Sequence, residues 1–294
     1  MTATVAFIGL GRMGLPMANR LIETGFSLRL YNRTASRADD LVARGVHLCS
    51  TPAQAAREAE YVVTMVADDQ ALLDVTLGDD GIASAFPAGG VHLSMSTVSP
   101  EANRAVAEAH QARGSELVAV PVMGRPEVAA AGALWLIAAG PTALEARLQP
   151  LLAAMGRGYT WVGEEPGLAS VAKIAFNFFL FGMVETLAET LTLVEKHGGD
   201  RGRFFEALSS AFGSPMVAGY GKRMLTEAFV PAGFTSILAL KDIRLALQLA
   251  ESGRSPLPVA SLVRDHLLTG LARGRGEWDL ASVVQGARES AGLA

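Results

Sequence analysis

Ser170, Lys173 and Asn177 are spaced i, i+3 and i+7, which puts all three on one face of a helix. Their neighbours Val171, Ile174, Ala175, Phe176, Phe178 and Phe179 are apolar. Burying an ammonium in such surroundings is costly, or it lowers the lysine's pKa. A lysine tuned in this way can exchange a proton with a hydroxyl or carbonyl oxygen. Asn177, one turn further on, can orient that same oxygen. The competing reading is a lysine whose stem covers apolar surface while its head reaches water.

A second cluster lies at the other end of the chain. Residues 4–8 are a short apolar run, and Gly9, Gly11 and Gly14 then give G-x-G-x-x-G at the start of a helical stretch. Residues 26–31 follow as a second β-prone run. The first glycine permits a tight turn, the second lets a pyrophosphate approach the backbone, and the third lets helix and strand pack closely. Free N–H groups at the helix start would hold the phosphates. A glycine-rich turn in some other α/β protein is the alternative. Where an NAD-selecting site carries an acid about 20 residues after the glycines, this chain has Asn32-Arg33-Thr34. A guanidinium suits a phosphate by charge and by its fork of donors. The expected cofactor is therefore NADP, with Arg33, Thr34 and Arg37 near the 2′-phosphate, unless Arg33 is an ordinary solvated loop arginine.

These two clusters need a scaffold. Strand-like runs at 46–49, 60–66, 91–95, 116–121, 134–139 and 159–162 alternate with helical stretches at 36–44, 52 onward, 70–77, 100–113 and 145–155. That alternation predicts a mostly parallel sheet. Met65 and Val66 end one of its strands, where open α/β sheets place ligands. The composition changes at Gly163-Glu164-Glu165-Pro166, and beyond it only helical patterns appear, at 167–197, 201–212, 215–228, 237–252, 258–273 and 279–293. The expectation is an α/β dinucleotide-binding domain, 1–163, and an all-α domain, 164–294, joined by a long helix.

Composition excludes other classes. Of 294 residues half are hydrophobic and 18% charged, enough for a sizeable core, and the net charge of −4 argues against nucleic acid as the main partner. The single Cys49 rules out an intrachain disulfide framework. His47, His92, His110, His197 and His266 are scattered without metal-site spacing and read as surface or helix-end histidines, so no metal is expected. The apolar stretch 171–194 carries Lys173, Asn177, Glu185 and Glu189, which favours a buried helix over a membrane span. No secretory pattern opens the chain, and a cytoplasmic protein is expected.

The motifs together resemble those of the β-hydroxyacid dehydrogenases, the group related to 3-hydroxyisobutyrate dehydrogenase and to glyoxylate or succinic semialdehyde reductases. Gly9-Leu10-Gly11-Arg12-Met13-Gly14-Leu15-Pro16-Met17 is similar to the family's opening, and Asn32-Arg33-Thr34 to its NADP-using members. Ser96-Thr97-Val98-Ser99-Pro100 resembles its S-T-x-x-P, which implies Thr97 beside the nicotinamide. Gly167 through Asn177 resembles its G-x-x-x-x-x-K-x-x-x-N helix, which implies Lys173 as general acid/base and Asn177 as a substrate partner, with Ser170 on the same face. Phe234 through Lys241-Asp242 resembles a late stretch whose lysine reaches the cofactor or substrate. The resemblance further implies a Rossmann domain, a helical domain and a homodimer or higher oligomer built through the latter. One motif departs. Where the family has D-A-P-V-S-G-G, which binds a substrate carboxylate, this chain has Ala119-Val120-Pro121-Val122-Met123-Gly124-Arg125. A thioether is a poor carboxylate partner, whereas Arg125 can supply a bidentate one or stay in solvent. A substrate bulkier, less polar or differently charged than a small hydroxy acid is expected. The leading expectation is hydride transfer between NADP(H) and a hydroxy acid or aldehyde. The others are an imine reductase, which usually lacks the lysine, and a non-catalytic NADP-binding protein.

Overall fold

A computed structural model describes residues 3–293. The chain forms two compact units, residues 1–173 and 174–294.

The first unit runs β1 (Thr4–Ile8), α1 (Gly14–Glu23), β2 (Ser27–Tyr31), α2 (Asp39–Ala43), β3 (His47–Leu48), α3 (Pro52–Ala56) and β4 (Tyr61–Thr64). It continues with α4 (Asp69–Leu77), β5 (Val91–Ser94), α5 (Pro100–Gln111), β6 (Glu116–Ala119), β7 (Val122–Met123), α6 (Pro126–Ala130), β8 (Leu134–Ala139), α7 (Glu145–Met155) and β9 (Gly156–Gly163). The strands lie in the order β3-β2-β1-β4-β5-β6-β8-β7, with β9 also on β8. From β3 through β6 every pairing is parallel. Both faces are buried, as an apolar run with a two-residue period requires. Val5 and Phe7 of β1 join a core with Met17 and Leu21 of α1, while Ala6 and Ile8 join Ala55, Ala56 and Ile82 on the other face.

Several elements differ from the sequence expectation. Residues 116–121 do not form one strand. β6 stops at Ala119, and Val122–Met123 pairs antiparallel with β8 as a separate strand. Pro121 lies between them; it has no N–H for the ladder, and its carbonyl accepts from Ile137 N–H at 3.0 Å. A short helix, α6, follows at once, with Pro126 in its first turn. The stretch 36–44 is a 3-10 turn followed by α2 rather than one helix.

Next comes α8 (Gly167–Lys196), whose first turns belong to the first unit, so the two units divide after Lys173, inside the helix and past the composition change at 163. Ala169 and Ala172 explain this: they pack with Ala119, Ile137, Ala139 and Met123 on the sheet. The second unit is the rest of α8 with α9 (Arg201–Phe212), α10 (Pro215–Thr226), α11 (Ser236–Ser252), α12 (Pro258–Ala272) and α13 (Val283–Ser290). Its core gathers Phe181, Val184, Leu191, Met224, Ile243, Val263 and Leu280. By length and composition α8 is apolar enough to cross a membrane, but half of its most apolar window is buried in protein, as in a core helix.

Candidate active site

In a parallel sheet every strand ends on the same edge, so the loops after β1, β2, β4 and β5 are neighbours there. The chain order reverses between β1 and β4, the place where such sheets bind ligands. Gly9 follows β1 with φ of 101°, and a Cβ on it would lie 2.2 Å from the Met65 carbonyl oxygen, so only glycine fits. Gly14 opens α1, where a Cβ would lie 1.9 Å from the Gly9 carbonyl oxygen. Gly11 is different: it is exposed, and a Cβ there would meet no protein atom within 4 Å. Nothing inside the protein demands glycine at that position. A ligand approaching the backbone from outside would demand it. No side chain caps α1 at Met13, which leaves the helix start available to an anion. The turn, the helix start and the exposed glycine fit a dinucleotide.

Hydrogen bonds lock the neighbouring loops to this turn. Asn32 Oδ1 accepts from Leu10 N–H at 2.8 Å, and Asn32 Nδ2 donates to the Thr34 carbonyl at 2.8 Å. Both ends of the Asn32 amide are thus used on the backbone. Arg33, Thr34 and Arg12 are exposed beside it. Met65 N–H donates to the Ile8 carbonyl at 2.8 Å, and Val66 N–H donates to Ser96 Oγ at 2.8 Å. That ties the loop after β4 to the loop carrying Thr97, which is half-buried. Asp69 Oδ1 accepts from Ser99 N–H at 2.8 Å, and Ser99 Oγ caps α5 by accepting from Ala102 N–H at 3.1 Å.

The same unit carries the start of α8. Asn103 of α5 donates to Ser170 Oγ at 2.9 Å, and both are buried. Ser170 and Asn103 therefore fix the helix one turn before Lys173. Lys173 is itself buried, at 8% exposure. Met123 packs against the same small core as Ala172, the residue before Lys173. Pro121 and Val122 are buried, Gly124 is exposed, and Arg125 is half-buried just ahead of α6.

In the second unit Asn177 is buried, and its Nδ2 donates to Asp242 Oδ2 at 2.6 Å. A carboxylate only accepts, so this contact fixes which end of the amide faces it. Asp242 Oδ1 forms an ion pair with Lys241 Nζ at 3.0 Å, without the alignment of a hydrogen bond. Asp242, 3% exposed, thus ties Asn177 to Lys241. Sequence reasoning passed over Asp242 and Asn103, although Asp242 stands in the quoted Lys241-Asp242 pair. A carboxylate among apolar helix positions was the available signal. His92 is also not as expected: it is fully buried within β5, while His110, at the helix end of α5, is buried as well.

Family comparison matches two stretches that meet between residues 163 and 167, ahead of the division after Lys173. Residues 4–163 match the NAD binding domain of 6-phosphogluconate dehydrogenase, more than half of the chain. Residues 167–286 match the NAD-binding region of NADP-dependent 3-hydroxyisobutyrate dehydrogenase. The chain belongs to the β-hydroxyacid dehydrogenase family. It is an oxidoreductase with an NAD(P)-binding Rossmann domain. Over 281 residues it is 41% identical to the uncharacterised oxidoreductase YfjR of Bacillus subtilis, covering 96% of this chain and 98% of that one. It is 30% identical over 287 residues to glyoxylate/succinic semialdehyde reductase 1 of Arabidopsis thaliana, covering 97% and 99%. The 3-hydroxyisobutyrate dehydrogenase of Mycobacterium tuberculosis, solved with L-serine, superposes with a TM-score of 0.88 at 25% identity, covering 98% and 100%.

Proposed function

We propose that this chain is an NADP(H)-dependent reductase or dehydrogenase acting on a small hydroxy acid or the matching aldehyde, with Lys173 as general acid and base. The observation that carries this reading is a lysine only 8% exposed, one helical turn before the buried amide of Asn177. When bound, the nicotinamide supplies or accepts the hydride. Lys173 gives its proton to the substrate oxygen in reduction and takes it back in oxidation. Asn177 and Thr97 orient that substrate. Ser170, held by Asn103, steadies the helix turn that carries Lys173. Pro121, Val122, Met123, Gly124 and Arg125 shape the pocket wall.

The choice of NADP is supported by the residues after β2. Asn32 spends its amide on the backbone, and no carboxylate stands there for a ribose hydroxyl. Arg33 is exposed and makes no hydrogen bond or ion pair within the described residues, so its guanidinium is available to a phosphate. An aldehyde-acid substrate is supported by the relative named as a glyoxylate/succinic semialdehyde reductase. Met123, in place of a hydroxyl donor, supports a group bulkier or less polar than a bare carboxylate at that wall. The same residue favours imine reduction as the second reading, but the buried Lys173 suits transfer to an oxygen.

Replacing Lys173 by Ala is expected to lower turnover at least a thousandfold on aldehydes or hydroxy acids, while NADPH still binds. NADPH is expected to bind more tightly than NADH in both proteins. Near-normal turnover in the variant, or activity on cyclic imines alone, would sink the reading.

A further inference from the structure

One cluster of metal-ligating side chains lies apart from this machinery, in the helical unit. Glu185 and Glu189 of α8 and His266 of α12 each offer a ligand atom, and the three atoms lie within 4.8 Å of one another. The i, i+4 spacing puts both carboxylates on one face of α8. The helices touch nearby, since a Cβ on Gly182 would lie 3.4 Å from the Val259 side chain. Read by local spacing, the sequence shows no metal site. The ligands come from two helices far apart in the chain, where no short motif can reveal them.

An independent observation points to a missing partner. Glu185 is 4% exposed, and its Oε2 is fully buried with no hydrogen-bond partner among the described residues. Its Oε1 meets only His266 Nδ1, at 2.6 Å. Leaving a charged oxygen buried without a donor is costly. Burial pushes the Glu185 carboxyl up, His266 pulls it back, and the Glu189 charge pushes it up again. Two carboxylates and one imidazole, with a single proton shared between His266 Nδ1 and Glu185 Oε1 besides the one on Nε2, still carry a net negative charge that a divalent cation would cancel. The two arginines sharing a cavity with His266, Arg273 and Arg275, are both held by Glu289, so they do not do this.

We infer that Glu185, Glu189 and His266 form a binding site for a divalent transition-metal ion of the zinc class, pinning α8 to α12. An imidazole with two carboxylates suits zinc better than magnesium or calcium. Bonds of about 2.0–2.2 Å put the ligand atoms of a tetrahedral ion roughly 3.4 Å apart. The 2.6 Å contact must open and the 4.8 Å limit must close by side-chain rotation alone. The ion takes the place of the proton between Nδ1 and Oε1, which leaves to solvent, and the remaining imidazole proton stays on Nε2. His266 and Glu189 are exposed, which gives the ion an entry path and leaves room for a water as fourth ligand.

The test titrates the chelator-treated full-length protein with Zn2+ by calorimetry and follows thermal unfolding. One equivalent is expected to bind and to raise Tm by several degrees. Glu185→Gln and His266→Gln are each expected to weaken binding at least tenfold and remove the Tm shift. Glu189→Gln, at an exposed position, should weaken binding without disturbing the fold, so its loss cannot be laid to misfolding. His197→Gln, outside the cluster, should bind as the wild type does. Failure of the wild type to bind one equivalent, or binding that survives all three cluster substitutions, overturns the site.

Discussion

The two units differ in how they satisfy the titratable groups they bury deepest. In the sheet unit, Thr64, His92, His110 and Ser115 are essentially inaccessible to solvent and form a chain of hydrogen bonds. Thr64 Oγ1 meets His92 Nε2 at 2.9 Å, His92 Nδ1 meets His110 Nε2 at 2.9 Å, and His110 Nδ1 meets Ser115 Oγ at 2.8 Å. Ser115 in turn donates to the His110 carbonyl at 3.3 Å. One assignment of protons satisfies the whole chain: Thr64 donates to His92, His92 to His110, and His110 to Ser115. Both rings are then neutral, and an added proton would put a charge where solvent does not reach. In the helical unit the buried polar groups include three carboxylates, Glu185, Asp242 and Asp279. Asp279, with no exposure, accepts through Oδ2 from Gly233 N–H at 2.9 Å and Phe234 N–H at 3.4 Å, with Arg223 Nε at 3.7 Å. Its Oδ1 accepts from Ala281 N–H at 3.1 Å. A sheet covered on both faces spends its backbone donors in the ladder, so buried side chains must satisfy one another. Helix ends and the loops between helices have spare N–H groups, and a carboxylate can be buried against them.

The sharpest way to break this comparison is to remove the charge from the helical interior. Asp279→Ala leaves the N–H groups of Gly233, Phe234 and Ala281, and Arg223, without their acceptor and is expected to cost about 3–5 kcal/mol. Trp278, stacked on Phe229 at 5.6 Å, reports on that region, so urea unfolding followed by its fluorescence measures the loss. A loss below about 1 kcal/mol would mean that the carboxylate is not what holds the loop.

Acid tests the neutral interior. Burial, with Arg113 acting in the same direction, lowers the His110 pKa to about 4, and burial beside His110 lowers His92 well below its usual value. In the unfolded chain both titrate near 6.5. Above that value neither state holds the extra proton and stability is unaffected. As pH falls, the unfolded chain takes up protons that the folded chain refuses, so stability declines until the folded pKa is passed. From His110 alone the expected loss is about 2 kcal/mol between roughly pH 7 and pH 5. His110→Gln should flatten that slope whatever it does to absolute stability. An unchanged slope would show that the chain is not held neutral.

Much of this architecture is legible in the sequence where a period or a fixed spacing carries it. The apolar run of β1, the glycines of the first turn and the long apolar α8 each leave such a mark. Short elements do not. Val122–Met123 is a strand because β8 lies opposite, not because two residues have a β period. Pro126 stands in the first turn of α6, but the residues ahead of it read only as a substrate loop. The histidines looked superficial because they are scattered along the chain, although His92 stands within the 91–95 run. Their burial comes from α5 covering the sheet, a tertiary fact that puts His110 against His92 across 18 residues. Lys173 and Asn177 could be placed on one face by spacing, whereas Asp242, which fixes the Asn177 amide, is brought to it from 65 residues away.

That last contact offers the finest test of the charged interior, because Asp242→Asn removes charge while keeping shape. The new amide must turn an N–H toward either Asn177 or Lys241, so one of the two contacts is lost. Losing a hydrogen bond to a charged group is worth about 1.5–3 kcal/mol before the site relaxes. Most of that is expected in the orientation of Asn177 rather than in the fold. Turnover should fall about tenfold, with a stability change of about 1 kcal/mol or less. If Asp242 acts through Asn177, the two do not add: the double variant Asp242→Asn with Asn177→Ala should turn over no more slowly than Asn177→Ala alone. Full additivity would show that Asp242 serves the site by another route, with Lys241 as the remaining partner on its other oxygen.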